Sequence, residues 1–113
     1  MANSVRATTR FVPMSPRKVR LVIDTVRGLG AEEALAVLKF MPKAAALPVS
    51  KAIRSAIGNA EENLGWARDD LYVSEIRADE GPRRQWRRFG ARGRFKPILK
   101  RASHITVVLS ERE

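Results

Sequence analysis

Apolar and polar residues alternate along the first part of the chain, from residue 4 to residue 12. The less polar face of this segment consists of Val5, Ala7, Thr9 and Phe11, and the opposite face of Arg6, Thr8 and Arg10. A period of two residues is typical of a half-buried strand. We therefore predict a strand that ends before Pro13.

The next pattern has helical spacing. Ser15 followed by Pro16 indicates a helix start, because serine is a preferred N-cap and proline suits the first helical position. The apolar residues that follow are Val19, Val22, Ile23 and Val26. This spacing predicts an amphipathic helix that ends at Gly28, with basic residues on its flanks and outer face. These residues are Arg17, Lys18, Arg20 and Arg27.

Two more helices are predicted before residue 66. The first opens with Glu32 and Glu33, which interact favourably with the helix dipole, and ends before Pro42. Its apolar residues are Ala34, Leu35, Val37, Leu38 and Met41. The second begins between Lys43 and Pro48 and runs to Gly65. Its seam consists of Val49, Ala52, Ile53, Ala56, Ile57, Ala60 and Leu64.

Residues 71–76 and 105–109 have the β-branched composition of strands, and we expect them to pair antiparallel. The segment between them, from Gly81 to Ala102, has too few apolar side chains to form a core. A structureless loop of that length is unusual in a compact domain, so we predict a ribbon that turns near residues 90–93. With about ten residues per arm at roughly 3.3 Å each, it would reach on the order of 30 Å beyond the body.

These elements predict an α+β fold with three helices packed on a small three-stranded antiparallel sheet and a long extended basic β-hairpin. At 113 residues the chain suits a single domain. We expect a globular body of about residues 4–80 and 102–110, and a protruding hairpin of about residues 81–101.

Charge adds the first functional information. The chain has 22 Lys and Arg against 12 Asp and Glu, a formal net charge of +10. Residues 1–30 contain six basic residues and one acidic, residues 31–80 six and nine, and residues 81–110 nine and none. Two basic segments around a more acidic middle indicate a body with one side facing a polyanion. No apolar run approaches the ~20 residues of a membrane span, and no signal sequence is evident, so we expect a cytoplasmic protein without membrane insertion.

The basic residues of the predicted hairpin are mostly arginine, which binds phosphate bidentately and stacks on bases. They are Arg83, Arg84, Arg87, Arg88, Arg92, Arg94, Lys96, Lys100 and Arg101. Trp86, Phe89 and Phe95 are interleaved with them, a combination that suits unstacked bases in folded RNA. A solvated, disordered basic tail is the alternative, although such a tail would not normally return to a strand like residues 105–109.

A second basic region comprises Met14 to Arg20 together with Arg6, Arg10 and Arg27. On its own it is equally well explained as a solvated helix face. Catalysis is not predicted, because Ser103 and His104 are adjacent on a strand and so face opposite sides. The chain has no cysteine and a single histidine, so neither a metal site nor a cofactor is predicted.

Two stretches, Met14 to Val22 and Lys100 to Val108, resemble the bacterial large-subunit ribosomal protein L twenty-two family. Shorter matches support the resemblance, which runs from about Arg10 to Ser110. They are Ile23-Asp24, Val26-Arg27-Gly28, Ser55 to Ala60, Asp79 to Pro82 and Ala91 to Arg94. The chain departs from the family pattern at Gln85-Trp86, at Arg87-Arg88 and at Phe89-Gly90, but its basic character is retained.

The resemblance implies a non-enzymatic constituent of the large subunit, present as a monomer within the ribosome. It implies contacts with several domains of large-subunit ribosomal RNA, with neighbouring ribosomal proteins and with the nascent polypeptide, and an early role in assembly. The hairpin would line the peptide exit tunnel, with a tip formed by Arg87, Arg88, Phe89, Gly90, Ala91 and Arg92. Ser103 and His104 join the RNA-binding residues on the same basis.

Two other classes remain as alternatives. An architectural DNA-binding protein also uses a basic β-ribbon, although one ribbon on one protomer is less typical of that class. A ribonuclease would need convergent acid and base groups, and His104 supplies one at most.

Overall fold

The computed structural model describes residues 4–81, 84–89, 95–100 and 102–111. In these ranges the chain forms five strands and three helices, with a short 3-10 turn at Arg68–Asp70. The strands are β1 (Ser4–Val12), β2 (Leu71–Glu80), β3 (Arg84–Phe89), β4 (Phe95–Lys100) and β5 (Ser103–Glu111), and the helices are α1 (Pro16–Val26), α2 (Ala31–Lys39) and α3 (Ala46–Leu64).

The body contains a three-stranded antiparallel sheet in the order β1-β5-β2. Strand β5 is central, with Ser4 opposite Ser110 on one side and Leu71 opposite Glu111 on the other. The predicted antiparallel pairing of residues 71–76 with residues 105–109 is confirmed, and both strands are longer than expected. Three helices and this sheet confirm the predicted α+β fold.

The core lies between the sheet and helices α1 and α3. The predicted stripe of α1 is buried along its whole length, and Ala52, Ala56 and Ala60 of α3 are fully buried. Alanine at these positions allows the helix to approach its neighbours closely. Two residues assigned to apolar faces lie outside the core: Val37 is 38% exposed and Leu64 is 48% exposed. Each lies at the edge of its helical stripe, where spacing alone does not fix burial.

The end of β1 departs from the predicted alternation. The register with β5 shifts between Thr9 and Val12, and Phe11 has a φ of +58°. The extra residue in this bulge turns Phe11 out, so that it is 61% exposed, and Val12 is buried in its place. The prediction that Phe11 lies on the buried face is therefore wrong.

Strands β3 and β4 pair antiparallel in a separate two-stranded sheet, from Arg84 opposite Lys100 to Phe89 opposite Phe95. Six register pairs at roughly 3.4 Å each give a ribbon of about 20 Å. Where the ribbon meets the body, the Gly81 N–H donates to the Ala102 carbonyl oxygen at 2.8 Å. The predicted turn near residues 90–93 lies outside the described residues.

Candidate nucleic-acid interface

The four basic residues predicted on the first helix fall into two groups. Arg17 and Lys18 are exposed in the first turn of α1. Arg20 points to the sheet instead: its Nε and Nη2 donate to the Ala78 carbonyl oxygen at 3.1 and 2.9 Å. The guanidinium of Arg20 therefore joins α1 to β2, a structural contact that its place in a basic sequence motif did not reveal.

Arg27, just after α1, makes a similar contact. Its Nη2 donates to the Ile76 carbonyl oxygen at 2.9 Å, and its Nη1 lies 3.2 Å from Asp24 Oδ1. Both arginines therefore donate to backbone carbonyl oxygens of β2. Arg17 and Lys18 are the two basic residues of this helix that remain most available to bind an external anion.

The body has two adjoining grooves, and Lys18 lines one of them. The first, about 330 Å³, is lined by Thr9, Arg10, Phe11, Val12, Pro13, Met14, Leu47, Pro48 and Lys51. The second, about 310 Å³, is lined by Met14, Lys18, Leu21, Val22, Lys43, Ala44 and Ala45. Met14 belongs to both. We call their cations, Arg10, Lys18, Lys43 and Lys51, the basic groove surface.

Lys43 and Lys51 were not predicted from the sequence as members of this surface. The count over residues 31–80 was net acidic and so hid the fact that the two ends of α3 differ in charge. The start of the helix region carries Lys43, Lys51 and Arg54, and its end carries Glu61 and Glu62. A shorter counting window would have separated them.

The opposite end of the body is acidic and makes its own ion pairs. Arg68 Nη2 donates to Glu61 Oε1 at 2.7 Å, and Arg68 Nε lies 3.9 Å from Glu32 Oε1. The hydrogen bond to Glu61, and then its charge, raise the pKa of Arg68 above its ordinary value. Arg68 is thus committed to neighbouring carboxylates, whereas Arg10, Lys18, Lys43 and Lys51 are exposed at the grooves.

Ser103 and His104 are the two strand residues that the family resemblance assigns to RNA. Ser103 is fully buried, and its hydroxyl donates to the Met14 carbonyl oxygen at 2.6 Å. This burial leaves no room for a direct contact of its side chain with RNA, so Ser103 positions the loop before α1.

His104 lies on the other side of β5 and is partly exposed. Its Nδ1 accepts a hydrogen bond from the Phe11 N–H at 3.1 Å, and the two rings meet edge to face with their centres 5.1 Å apart. Because Nδ1 accepts, the proton of the neutral ring sits on Nε2. His104 therefore holds the bulge of β1, and its Nε2 has no hydrogen-bond partner among the described residues.

Part of the predicted hairpin surface lies in strands β3 and β4. Arg84, Trp86, Arg87, Arg88 and Phe89 belong to β3, and Lys96 and Lys100 to β4. Other predicted residues lie outside the described part of the chain: Arg83, Gly90, Ala91, Arg92, Arg94 and Arg101. On β1, Arg6 and Arg10 are both exposed, as predicted for the basic face of that strand.

The described residues hold no group of three or more His, Cys, Asp or Glu side chains arranged to bind a metal ion. Among the helices that the structure describes, none is both long and apolar enough to cross a membrane. The candidate interface therefore consists of exposed cations beside apolar grooves and of a basic two-stranded ribbon.

Comparison with known proteins gives a family match and close relatives in bacteria. A family model described as ribosomal protein L22p/L17e matches residues 7–110. The large ribosomal subunit protein uL22 of Thermoanaerobacter sp. (strain X514) is 50% identical over 108 residues, which cover 96% of this chain and 97% of that protein. The protein of the same name from Lactobacillus delbrueckii subsp. bulgaricus (strain ATCC BAA-365 / Lb-18) is 50% identical over 109 residues, 96% of this chain and 93% of that protein.

These matches identify a structural, non-enzymatic protein of the large ribosomal subunit, which acts in translation on the cytoplasmic ribosome. More narrowly, the chain belongs to the L22p/L17e family of ribosomal proteins. The resemblance seen in the sequence and the prediction of a non-enzymatic protein are both confirmed.

Proposed function

We propose that the chain binds large-subunit ribosomal RNA through two surfaces, the β3–β4 hairpin and the basic groove surface of the body. The single observation that carries the proposal is the ribbon itself. Its two strands belong to a stretch, residues 81–110, that has nine basic residues and no acidic one. An isolated two-stranded ribbon is marginally stable in water, so a polyanion is the partner that suits it.

The register of the ribbon supports this partner. Arg84 is opposite Lys100, and Arg88 is opposite Lys96. Like charges at directly opposite positions destabilise an antiparallel pair. Phosphate groups between or beside these positions would remove that repulsion, whereas a neutral or basic partner would not.

The body contributes the second surface. The four cations of the basic groove surface, Arg10, Lys18, Lys43 and Lys51, are exposed, and Arg17, which precedes Lys18 in α1, is an exposed cation outside this set. Arg20 and Arg27 support the same surface indirectly, because their bonds to β2 fix the orientation of α1. His104 offers its Nε2 proton next to Phe11. A rigid α1 lowers the ordering cost when its exposed cations bind phosphate.

We further propose that the hairpin lines the nascent-peptide exit tunnel, with residues 87–92 at its tip. The chain then helps large-subunit assembly by contacting several domains of the RNA and neighbouring ribosomal proteins. Family membership supports this placement, and the length of the ribbon allows it to extend away from the body. The nascent polypeptide is the partner expected at the tip.

RNA binding is tested by titrating the full chain with folded fragments of large-subunit ribosomal RNA and with duplex DNA of equal length, at matched salt. We expect binding to the RNA to persist at about 0.2 M salt, where nonspecific duplex binding has fallen by orders of magnitude. Equal loss of both would favour the architectural DNA-binding alternative and contradict the proposal.

The tunnel placement needs a separate experiment. Ribosomes carrying a stalled nascent chain with a photoreactive group are irradiated, and the cross-linked large-subunit proteins are mapped by mass spectrometry. We expect cross-links to residues 87–92 of this chain. Cross-links to the body alone would show that another part of the protein faces the nascent chain.

A further inference from the structure

The first groove, which lies between the end of β1 and the start of α3, combines an apolar floor with a positive rim. Its apolar lining residues, here called the floor, include Val12, Pro13, Met14 and Leu47, and its charged lining residues, here called the rim, are Arg10 and Lys51. Among its lining residues, all in the described part of the chain, none is acidic. A groove of about 330 Å³ is at the lower end of the ~300–1,000 Å³ typical of small-ligand sites.

Phe11 is held at the edge of this groove in an unusual conformation. Within the described residues it is the only non-glycine residue with a positive φ, at +58°. A bulge, the hydrogen bond to His104 Nδ1 and the edge-to-face ring contact all maintain that conformation. Such strained residues cluster at functional sites. Because Phe11 is 61% exposed, packing in the core does not explain this conformation.

We propose that this groove binds one unstacked nucleobase of RNA, with the base packed on Phe11 and Leu47 and its flanking phosphates on Arg10 and Lys51. The inference rests on the proposed function and deepens it by assigning a base-binding site on the body. Aromatic side chains are the usual platform for splayed bases in folded RNA loops. A nucleotide carries a flat base and an anionic phosphate within one residue. The base matches the apolar floor of the groove, and the phosphate matches its positive rim.

Charge distinguishes RNA from a neighbouring protein as the occupant. An apolar side chain of a protein would fill the floor but would leave Arg10 and Lys51 without partners. RNA satisfies both features at once. Occupation of the groove by a protein would show itself as binding of a large-subunit protein that depends on Phe11.

The central test compares Phe11→Ala, Phe11→Trp and Phe40→Ala in the full chain, with large-subunit ribosomal RNA as the probe. Phe40 is the matched control, because it is 80% exposed and does not line the groove. We expect Phe11→Ala to weaken binding roughly tenfold, within the range for loss of one stacked base. Phe11→Trp, which keeps a stacking surface, and Phe40→Ala should each stay within about twofold.

Two outcomes overturn the base-binding site. Binding of Phe11→Ala within twofold of wild type is the first, and equal losses for Phe11→Ala and Phe40→Ala are the second. In the first case, lost binding of Phe11→Ala to a purified large-subunit protein would assign the groove to a protein partner. Failure of the wild-type chain to bind the RNA would instead refute the proposed function, so the two ideas fail separately.

A thermal melt shows whether Phe11→Ala is folded. If the variant is unfolded, two further measurements test the site. Lys51→Gln should reduce the salt dependence of binding by about one counterion while leaving the melt unchanged. Irradiation of the wild-type complex with ultraviolet light should attach a nucleotide to the tryptic peptide of residues 11–17. An unchanged salt slope together with no nucleotide on that peptide would also contradict the site.

Discussion

The body and the hairpin are held in shape by different means. The body buries a continuous core that includes Ile23, Ile53, Ile76 and Leu109, all nearly or fully inaccessible to solvent. The hairpin has a backbone ladder of two strands, and its sequence is rich in arginine. The body therefore carries its own stabilising apolar surface, whereas under the proposed function the hairpin binds a polyanion that offsets its charge. This contrast predicts which changes affect stability and which affect binding.

The largest effect is expected when the hairpin is removed. Replacing residues 83–100 by an Asn-Gly turn should leave the body folded, because the three-stranded sheet and the helices are built from other residues. Affinity for large-subunit ribosomal RNA should fall by at least about a hundredfold at moderate salt, since most of the hairpin's cations are lost. Circular dichroism checks the fold and filter binding checks the affinity. Collapse of the body would refute the division into two parts.

The core of the body is tested by Ile53→Ala. Ile53 is fully buried in α3, so the truncation should lower the free energy of unfolding by about 2–5 kcal/mol. Leu21→Ala on α1 is the control, because Leu21 is 57% exposed and its loss should cost within about 0.5 kcal/mol. Urea denaturation measures both. A similar loss for the two variants would mean that the proposed core is not what stabilises the body.

Two arginines of one helix separate a structural role from a binding role. Arg20→Met removes both bonds to the Ala78 carbonyl and should destabilise the body by about 1 kcal/mol. Arg17→Met should leave the free energy of unfolding nearly unchanged and lower the salt dependence of RNA binding by about one counterion. Thermal melts and salt titrations distinguish them. Identical behaviour of the two variants would contradict the division of this basic motif.

The smallest effect is expected at the junction between the two parts. A Cβ at Gly81 would lie 3.2 Å from the backbone carbonyl carbon and oxygen of Ala102, so Gly81→Ala should destabilise by less than about 1 kcal/mol. Gly58→Ala in α3 has open space around its Cβ and should stabilise by about 0.5–1 kcal/mol. Differential scanning calorimetry should show melting shifts of opposite sign. Shifts of the same sign would mean that the junction is not tightly packed.

Periodicity predicted the helices and the first strand of the body, because helical and alternating patterns follow the buried face of an element. The stripe of α1 followed from it, whereas the pairing of β2 with β5 was predicted from β-branched composition. Periodicity failed at Phe11, since a bulge that shifts alternation by one residue leaves no simple mark in the sequence. A shift of one residue in the alternation is enough to move Phe11 from the buried face of β1 to the exposed edge of the groove.

Side-chain roles at the candidate interface were harder to predict. The sequence showed Arg17, Arg20 and Arg27 as one basic motif, but only the packing of α1 on β2 reveals that two of them bind carbonyl oxygens. Lys51 reaches the groove because α3 begins beside the end of β1, a long-range contact that local charge counts do not contain.

The position of β5 in the sheet has a consequence for how the protein is made. This strand is central, yet it emerges from the ribosome after every other strand and helix of the body. Until then β1 and β2 lack their shared neighbour, and β1 must wait for a partner roughly a hundred residues downstream. The hairpin, by contrast, is synthesised before the sheet can close. Closing of the three-stranded sheet is therefore the last step in folding of the body, and the arginine-rich ribbon is synthesised before that step is complete.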